Sequence, residues 1–351
     1  MNAIGLGLDT TFDDTSVAIL RGAREVLANL TLSQYRDHEE FGGVVPEIAA
    51  RSDIEHLDSL VKRALDSAQI RFSDLDGIAA TAGPGLIGGL MVGLTMAKSM
   101  ALVHDLPLVA VNHLEAHALT PRLTNDLDFP YLLLLVSGGH CQFLTVNGVG
   151  HYHRLGTTID DALGEAFDKT AKLIGIEFPG GPKIEEWAKK GDKNYFKLPK
   201  PILKKGGCNL SFAGLKTAVL RISKELKNQK EKYHLAASFQ KTINEILHEK
   251  TKVAMEEFSK NKKNIQKTFV IAGGVAANLK IRENLTKLAN EKNFTAVFPP
   301  KYLCSDNAAM IAWAGIERFK INLIDNLEFP SKARWPLDSS APFLKGPGLK
   351  L

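Results

Sequence analysis

The hydrophobic and polar positions of the chain form two arrangements, and each arrangement occurs twice. The first is an apolar strand, a short polar turn and a second apolar strand, in IGLGLDTTFDDTSVAIL and in YLLLLVSGGHCQFLTV. The second is a strand, a glycine-rich turn and a helix, in GIAATAGPGLIGGLMVGLTMAKSM and in KTFVIAGGVAANLKIRENLTKLA. Because their order is the same in both halves, the pattern predicts two duplicated α/β lobes. The second half carries about 65 additional residues between its two pieces.

The duplication also predicts the domain bounds. We expect an N-terminal lobe at residues 1–125, completed by a C-terminal helix at 306–330, and a second lobe at 126–305 with an insertion at 157–235. Backbone N–H groups and helix N-termini bind phosphate, so two such lobes predict a phosphate-binding cleft between them. Glycines are expected to let the backbone approach this ligand, namely Gly83, Gly85, Gly88, Gly89, Gly138, Gly139, Gly273 and Gly274.

Composition is that of a globular protein. A chain of 351 residues with 44% hydrophobic and 24% charged residues has room for two cores, which excludes a single small domain. The apolar stretch from Leu86 to Val103 is interrupted by Lys98 and is predicted to be a buried helix. No signal or transit peptide is recognisable at the start, and three cysteines without a CxxC pair are typical of a reducing compartment. We expect a cytoplasmic protein, with the mitochondrial matrix as the alternative.

The net charge of +5 is unevenly distributed along the chain. Between Lys183 and Lys232 there are fourteen Lys or Arg residues against five Asp or Glu residues. Within this stretch, KKGDKNYFKLPKPILKKGG interleaves lysines with aromatic residues, prolines and glycines, a composition that suits a loop following a phosphate backbone. A solvated lysine-rich insertion has the same composition. The sequence leaves both interpretations open.

The segment VNHLEAHALT places His113 and His117 four residues apart. On a helix their Cβ atoms lie about 5–6 Å apart on one face, so both imidazoles can reach one metal ion. This spacing also occurs by chance, which leaves an ordinary histidine pair open. A zinc protease requires a glutamate directly after the first histidine, where this chain has Leu114. A third ligand must come from elsewhere, and Asp306 in KYLCSDNAAMIAWAG is the candidate, with a helix N-cap as its alternative role.

Together these segments resemble one family along nearly the whole chain. The family is TsaD, the tRNA N6-adenosine threonylcarbamoyltransferases, formerly described as glycoproteases, in their bacterial or mitochondrial type. The segments are LDTTFDDTSVAI, FGGVVPEIAAR, TAGPGLIGGLMVGLTMAKSMA, NHLEAHAL, LLVSGGHCQF, GTTIDDALGEAFDKTAKLIGIEFPGGPKIE, SFAGLKTA, AASFQ, AGGVAAN, CSDNAAMIAWAG and ARWPLD. The resemblance implies an α/β, two-lobed actin-like ATPase fold of the sugar kinase and actin type, with duplicated ribonuclease H-like lobes.

The resemblance also implies site residues, matched by position. His113, His117 and Asp306 match metal ligands, the last from the opposite lobe, for one divalent ion that is Fe2+ or alternatively Zn2+. Asp13 matches the acidic residue near the reacting centre and is the candidate general base. The implied substrate-binding residues are Leu135, Val136, Ser137, Gly138, Gly139, Asp168, Gly181, Glu185 and Asn278, with His140 beside them. Without the family, Asp160, Asp161 and Glu165 rank almost as high, or form the polar first turn of a helix.

The implied reaction is acyl transfer. The threonylcarbamoyl group moves from threonylcarbamoyl-AMP to N6 of the adenosine 3′-adjacent to the anticodon of tRNAs reading codons that start with A, and AMP is released. The implied partners are tRNA, threonylcarbamoyl-AMP and, in the bacterial type, a smaller homologous subunit TsaB and the ATPase TsaE, or a homodimer in the mitochondrial type. No membrane partner is implied. A sugar or acyl kinase and a noncatalytic scaffold remain alternatives on the same fold, and a metalloprotease is disfavoured by Leu114.

Several positions depart from the family pattern. The first hairpin, usually ETSCDET, has Asp9 and Asp14 in place of the glutamates and Phe12 in place of the cysteine. Asp53 stands where the motif after PEIAAR has a histidine, and Ala213 replaces the second serine of SFSGLKT. None of these changes removes a proposed metal ligand, and their effect on activity is not determined by the sequence.

Overall fold

The computed structural model describes residues 2–39, 41, 43–260 and 265–342, which form two α/β units. Unit 1 comprises Met1–Leu127, Val149–His151 and Ser305–Ser339, and unit 2 comprises Asp128–Gly148, Tyr152–Cys304 and Ser340–Leu351. Gly42 of the FGGVVPEIAAR segment lies outside the described residues. Each unit has its own five-stranded sheet and its own buried hydrophobic cluster.

The sheet of unit 1 has the strand order β3-β2-β1-β4-β5. Its strands are β1 (Ile4–Asp9), β2 (Asp14–Arg21), β3 (Glu25–Ser33), β4 (Gly77–Gly83) and β5 (Leu108–Asn112). The first three are antiparallel, whereas β4 and β5 run parallel to β1. Its helices are α1 (Tyr35–Glu39), α2 (Pro46–Ala68), α3 (Ile87–His104), α4 (His113–Thr124) and α10 (Ala308–Lys320).

The sheet of unit 2 repeats this arrangement with the strand order β10-β9-β6-β7-β8. Its strands are β6 (Tyr131–Val136), β7 (Cys141–Gly148), β8 (His151–Thr157), β9 (Thr268–Ala272) and β10 (Thr295–Val297). Strand β7 is antiparallel to β6, whereas β9 and β10 form the parallel part. Its helices are α5 (Leu163–Leu173), α6 (Gly180–Ala188), α7 (Ala213–Ser223), α8 (Gln229–Lys260) and α9 (Leu279–Glu291). The two sheets therefore share one topology, which confirms the predicted duplication.

Helix α10 lies on the sheet of unit 1 although it follows unit 2 in the chain. A Cβ added at Gly7 of β1 would overlap the backbone nitrogen of Ala312, so glycine at this position lets the helix approach the strand closely. Asp306 precedes this helix and belongs to unit 1 together with His113 and His117. The prediction that Asp306 comes from the opposite lobe is therefore wrong, because the chain returns to unit 1 before α10.

Helix α3 is the one described helix that is long and apolar enough to cross a membrane by length and composition. One face, which includes Leu90 and Leu94, is buried in unit 1. Its other face leaves Met91, Leu102 and Val103 57%, 69% and 75% exposed. The prediction of a buried helix therefore holds for one face only.

Candidate functional site

The predicted metal ligands are brought together at the ends of two helices in unit 1. His113 is the first residue of α4, whose N-cap Asn112 accepts a hydrogen bond from Leu114 N, and His117 lies one turn later. Asp306 precedes α10, but the N-cap of that helix is Asn307, whose side chain accepts from Met310 N at 3.0 Å. The alternative role of Asp306 as the N-cap is therefore wrong, and its carboxylate faces the histidines instead.

One carboxylate oxygen faces both imidazoles. Asp306 Oδ1 lies 3.1 Å from His117 Nε2 and 3.4 Å from His113 Nε2, and one ligand atom from each of the three residues lies within 4.8 Å of the others. Two ligands that each bind an ion at about 2.1 Å with a tetrahedral angle are about 3.4 Å apart. The three side chains therefore fit a divalent metal ion without a change in the backbone.

The charges of this cluster also favour a cation. Burial opposes a charge on His113, yet the carboxylates of Asp306 and Asp9 together raise its pKa to about 10. Burial likewise opposes a charge on Asp306, but His113 and His117 hold the pKa of this carboxyl well below its usual range. In the metal-free protein His113 is therefore protonated between the carboxylates of Asp306 and Asp9. A metal ion requires neutral imidazoles, so its binding would release this proton.

Asp9 and Thr11 hold the ring of His113 from its other side. Asp9 Oδ1 accepts hydrogen bonds from the hydroxyls of Thr11 and, at 2.9 Å, Thr81. Thr11 Oγ1 in turn lies 3.1 Å from His113 Nδ1, with Asp9 Oδ1 3.7 Å away. Such contacts leave Nε2 for a metal and typically affect metal affinity about tenfold to hundredfold. Neither Asp9 nor Thr11 is among the predicted site residues, because contact with a residue about a hundred positions later leaves no local signal in the sequence.

Asp13 and Asp14 lie half-buried where β1 turns into β2. Burial raises the pKa of Asp13, and the nearby carboxylate of Asp306 raises it further, against a hydrogen bond from the backbone. Burial also raises the pKa of Asp14 to about 6, with Asp13 and Asp306 as additional negative charges. Both carboxylates are therefore stronger bases than exposed aspartates.

Glu115 takes no part in the metal cluster. Its carboxylate is buried and accepts hydrogen bonds from Gly150 N at 2.8 Å and Arg318 Nη1 at 2.9 Å. Arg318 lies in α10, so this ion pair joins α4 to α10 within unit 1. Glu115 therefore has a structural role, which argues against the metalloprotease alternative.

Asp53, the residue at the family's histidine position, is fully buried on α2. Its Oδ1 accepts hydrogen bonds from Thr15 Oγ1 at 2.7 Å and Gln34 Nε2 at 3.1 Å. Burial nevertheless raises its pKa from 3.8 to about 7, with Asp9 as a further negative charge. Asp53 thus changes its charge near neutral pH inside unit 1.

Replacing Asp53 with asparagine is expected to stabilise the metal-free protein more at pH 8 than at pH 5. Because the pKa of Asp53 is about 7 in the folded chain against an ordinary 3.8, the unfolded chain releases its proton first. The wild type therefore loses stability as the pH rises from about 4 to about 7, whereas asparagine stays neutral. The difference in unfolding free energy should grow by up to about 4 kcal/mol. Urea unfolding of chelator-treated protein across this range measures it, with Asp58→Asn on the exposed face of α2 as control. A difference that does not change with pH would contradict the assignment.

The other predicted substrate-binding residues lie in unit 2, beginning with the turn between β6 and β7. Leu135 and Val136 are buried at the end of β6, and Ser137 starts a tight turn that closes at His140. Ser137 N donates to His140 O at 2.8 Å, and His140 N donates to Ser137 Oγ at 3.1 Å. The turn exposes Gly138 and Gly139. Hydrogen bonds between Ser137 and His140 therefore hold the turn, while Gly138 and Gly139 remain exposed.

Asp168 contacts Gly180, the residue before Gly181, at the start of α6. Asp168 Oδ1, on α5, accepts a hydrogen bond from Gly180 N at 2.9 Å. A Cβ at Gly180 would overlap Ala171, whereas a Cβ at Gly181 would meet nothing within 4 Å. The carboxylate of Asp168 therefore ties α5 to the first turn of α6 and leaves the backbone of Gly181 open.

Glu185 and Asn278 both contact the start of α9. Glu185, on α6, accepts hydrogen bonds from Leu279 N at 2.7 Å and Lys280 N at 3.2 Å. Asn278 is the N-cap, since its Oδ1 accepts from Ile281 N at 3.0 Å, and its amide donates to Gln240 Oε1 at 2.9 Å. These contacts stabilise the end of α9.

Asp160, Asp161 and Glu165 are used in structural contacts. Asp160 accepts from the backbone of Phe212 at 2.7 Å and from the Ser211 hydroxyl, at the start of α7. Asp161 pairs with Lys169 and Lys216, and Glu165 pairs with Lys169 in the first turn of α5. The alternative of a polar first turn is thus right for Glu165, whereas the two aspartates fasten α7 and its preceding segment.

The predicted glycines divide into two kinds. Some are required by protein packing, since a Cβ at Gly89 would overlap Thr10 O and a Cβ at Gly273 would overlap Val136 O. Gly138 and Gly274 instead have nothing within 4 Å of an added Cβ. Only glycines of this second kind suit the predicted approach of a ligand, because the others face neighbouring backbone.

Comparison with known proteins shows what the chain resembles. The sequence model of the family TsaD, tRNA N6-adenosine threonylcarbamoyltransferase, matches residues 25–313. The chain is 59% identical over 350 residues to the tRNA N6-adenosine threonylcarbamoyltransferase of Pelagibacter ubique, covering 99% of this chain and 98% of that protein. It is 50% identical over 353 residues to the protein of the same name from Rhodospirillum rubrum, covering 98% and 97%.

Solved structures of more distant proteins share the fold. HypF from T. kodakarensis matches with a TM-score of 0.61 and 15% identity, covering 91% of this chain and 48% of that chain. Component A of (R)-2-hydroxyglutaryl-CoA dehydratase from Acidaminococcus fermentans matches with a TM-score of 0.51 and 15% identity, covering 91% and 100%. These similarities concern the fold alone and confirm the predicted actin-like ATPase class.

Proposed function

Because the chain belongs to the tRNA N6-adenosine threonylcarbamoyltransferase family, we propose that it moves the threonylcarbamoyl group from threonylcarbamoyl-AMP to tRNA. The acceptor is N6 of the adenosine 3′-adjacent to the anticodon in tRNAs reading codons that start with A, and AMP leaves. The observation that carries this proposal is the placement of His113, His117 and Asp306 around one point in unit 1. These residues would hold one divalent ion, Fe2+ or alternatively Zn2+, since two imidazoles and a carboxylate suit both.

The chemistry requires positioning more than strong acid catalysis. The N6 amine is a poor nucleophile because its lone pair is delocalised into the adenine ring, whereas AMP is a good leaving group. A bound ion would polarise an oxygen of the donor as a Lewis acid. Asp13 accepts the proton that the amine loses as the new C–N bond forms. Its raised pKa supports this role because a stronger base takes the proton more readily.

The residues of unit 2 are assigned to binding of the adenylate. Ser137 N–H closes the turn by donating to His140 O, whereas the backbone N–H groups of Gly138, Gly139 and Gly181 are offered to phosphate or carbonyl oxygens. Asp168, Glu185 and Asn278 hold the starts of α6 and α9 next to these segments. Leu135 and Val136 anchor the turn in the core. A Cβ added at Gly138 or Gly181 would meet nothing within 4 Å, and this free space supports the assignment.

Protein partners are proposed from the family as well. The relatives from Pelagibacter ubique and Rhodospirillum rubrum are bacterial, which favours the smaller subunit TsaB and the ATPase TsaE in a bacterial cytoplasm over a homodimer of the mitochondrial type. The exposed apolar face of α3, with Met91, Leu102 and Val103, supports a protein partner because such patches mark interaction surfaces.

A single-turnover assay tests the proposed reaction. Purified protein of verified metal content is mixed with pre-formed threonylcarbamoyl-AMP and unmodified tRNA, and modified adenosine is measured by mass spectrometry. A tRNA carrying guanosine at the acceptor position is the control and should give no product. Failure of the wild type to form product, even with the candidate partner subunits present, would overturn the proposal. Substrate-dependent release of ADP would instead favour a kinase.

A further inference from the structure

A wide groove lies in unit 2, lined by α6, the loop that follows it, α8 and α9. Its volume is about 1100 Å3, larger than the roughly 300–1,000 Å3 of most small-molecule pockets. Fifteen of its nineteen lining residues carry a charged or polar side chain, among them seven lysines and four glutamates. Its size and its excess of lysines over glutamates suit a large anionic ligand.

Part of the charge in this groove is already neutralised. Glu245 lies 2.6 Å from Lys200 and 3.7 Å from Lys241, and Lys280 pairs with Glu283 at 2.7 Å. Glu185 is engaged by the backbone at the start of α9. These three lysines and three glutamates therefore add no net charge to the groove.

Four further lysines, set against one further glutamate, Glu249, leave the groove with an excess of three positive charges. Lys189, Lys193, Lys204 and Lys287 are exposed and line the groove, and none has a carboxylate within 4.0 Å in the described part of the chain. They come from the end of α6, from the loop after it and from α9. The fold thus gathers unpaired cations from separate segments, which raises the electrostatic free energy of the protein until an anion binds.

The loop that carries Lys193 and Lys204 is fastened to α8. Lys250 is buried in α8, and its Nζ donates hydrogen bonds to Lys205 O at 2.8 Å and Gly207 O at 3.1 Å. Asp192 N donates to His234 Nδ1 at 2.8 Å, and Phe196 N donates to Ser238 Oγ at 3.1 Å. A merely solvated insertion does not require such anchoring. The lysines are therefore presented from a supported backbone.

An aromatic ring lies in the same loop. Tyr195 stacks on His234 with 4.5 Å between ring centroids, and it remains 53% exposed. Its neighbour Asn194 accepts a hydrogen bond from the groove residue Lys241 at 2.7 Å. Exposed aromatic rings beside lysines are typical of surfaces that bind single-stranded nucleic acid, where bases stack on the ring.

We propose that this groove binds the sugar–phosphate backbone of the acceptor RNA, an inference that rests on the proposed function. Phosphates would lie against Lys189, Lys193, Lys204 and Lys287, and an unpaired base could stack on Tyr195. The basic stretch from Lys183 to Lys232 thus contains lysines that line the groove and lysines that do not. Its later lysines do not line the groove, whereas Lys241, Lys280 and Lys287 beyond it do.

This division provides a matched test. The groove variant combines Lys193→Gln, Lys204→Gln and Lys287→Gln, and the control variant combines Lys224→Gln, Lys227→Gln and Lys230→Gln, which are also exposed lysines of unit 2. Both lose three positive charges. Fluorescence anisotropy with unmodified tRNA over a series of salt concentrations should show about tenfold to hundredfold weaker binding by the groove variant and a salt slope reduced by about two to three. The control should remain near the wild type.

The outcomes separate this inference from the proposed function. Equal weakening by both variants, or by neither, would overturn the groove while product formation by the wild type still supports the transferase. Groove-dependent binding without product from the wild type would overturn the transferase and leave an RNA-binding groove. Equally groove-dependent binding of polyglutamate would assign the groove to acidic proteins and overturn the RNA inference. Thermal unfolding of each variant checks that the fold is intact, and single-turnover transfer by the groove variant should recover at saturating tRNA.

Discussion

Replacing both His113 and His117 with alanine is expected to abolish binding of the divalent ion and to slow single-turnover transfer by at least about a thousandfold. Asp306 would be the one remaining member of the cluster, and a single carboxylate does not retain a transition metal against solvent. Lewis-acid stabilisation is worth several kcal/mol, and each 1.36 kcal/mol corresponds to a factor of ten in rate. Elemental analysis by mass spectrometry measures the bound metal, and the tRNA assay measures the rate.

Two controls separate loss of metal from loss of structure. A variant with His56→Ala and His151→Ala removes two histidines of unit 1 that lie outside the cluster and should keep wild-type metal content and rate. Asp306→Asn removes the anionic ligand at nearly constant volume and should also lose the metal. Wild-type metal content in the His113 and His117 variant, with an unchanged melting temperature, would refute the site.

Replacing Gly273 with alanine is expected to destabilise unit 2 by about 3 kcal/mol or more. Gly273 follows β9 with a φ of +95°, a conformation that costs other residues roughly 1–3 kcal/mol. The added Cβ would also overlap the carbonyl oxygen of Val136 at the end of β6, and overpacking typically costs about 1–3 kcal/mol more. Neither strand can move without breaking the β6–β9 pairing. Urea unfolding measures the loss.

The adjacent glycine supplies the control for this prediction. A Cβ at Gly274 would meet nothing within 4 Å, so Gly274→Ala should change the unfolding free energy by no more than about 0.5 kcal/mol. A similar loss in both variants would show that flexibility of the glycine pair, and not contact with β6, determines stability.

The candidate metal site shows what local sequence patterns can predict and what they cannot. The four-residue spacing places His113 and His117 on one helical face, and Asp306 is the candidate third ligand because it stands before an apolar helix in a segment that resembles the family. Its N-cap alternative failed because Asn307, one residue later, caps the helix. Sequence patterns do not fix the first residue of a helix, so they cannot tell a capping side chain from a metal ligand one residue away.

Asp9 and Asp53 illustrate residues whose roles depend on distant partners. Both appeared in the sequence only as conservative or unexplained departures from the family pattern. In the fold, Asp9 meets Thr81 and approaches His113, whereas Asp53 is enclosed by Thr15 and Gln34. Burial and charge proximity determine their chemistry, and neither quantity is a property of the local sequence.

By itself, the sequence determined the α/β class, the duplication and the family, because hydrophobic periodicity and glycine-rich turns are local properties that repeat in both halves. Only the tertiary structure decided that Asp306 faces the histidines instead of capping α10, that most of the predicted glycines serve packing and that lysines from α8, α9 and the loop after α6 line one groove. These features join residues tens to about two hundred positions apart. Such contacts arise from the packing of whole elements against each other, which no short segment of the chain encodes.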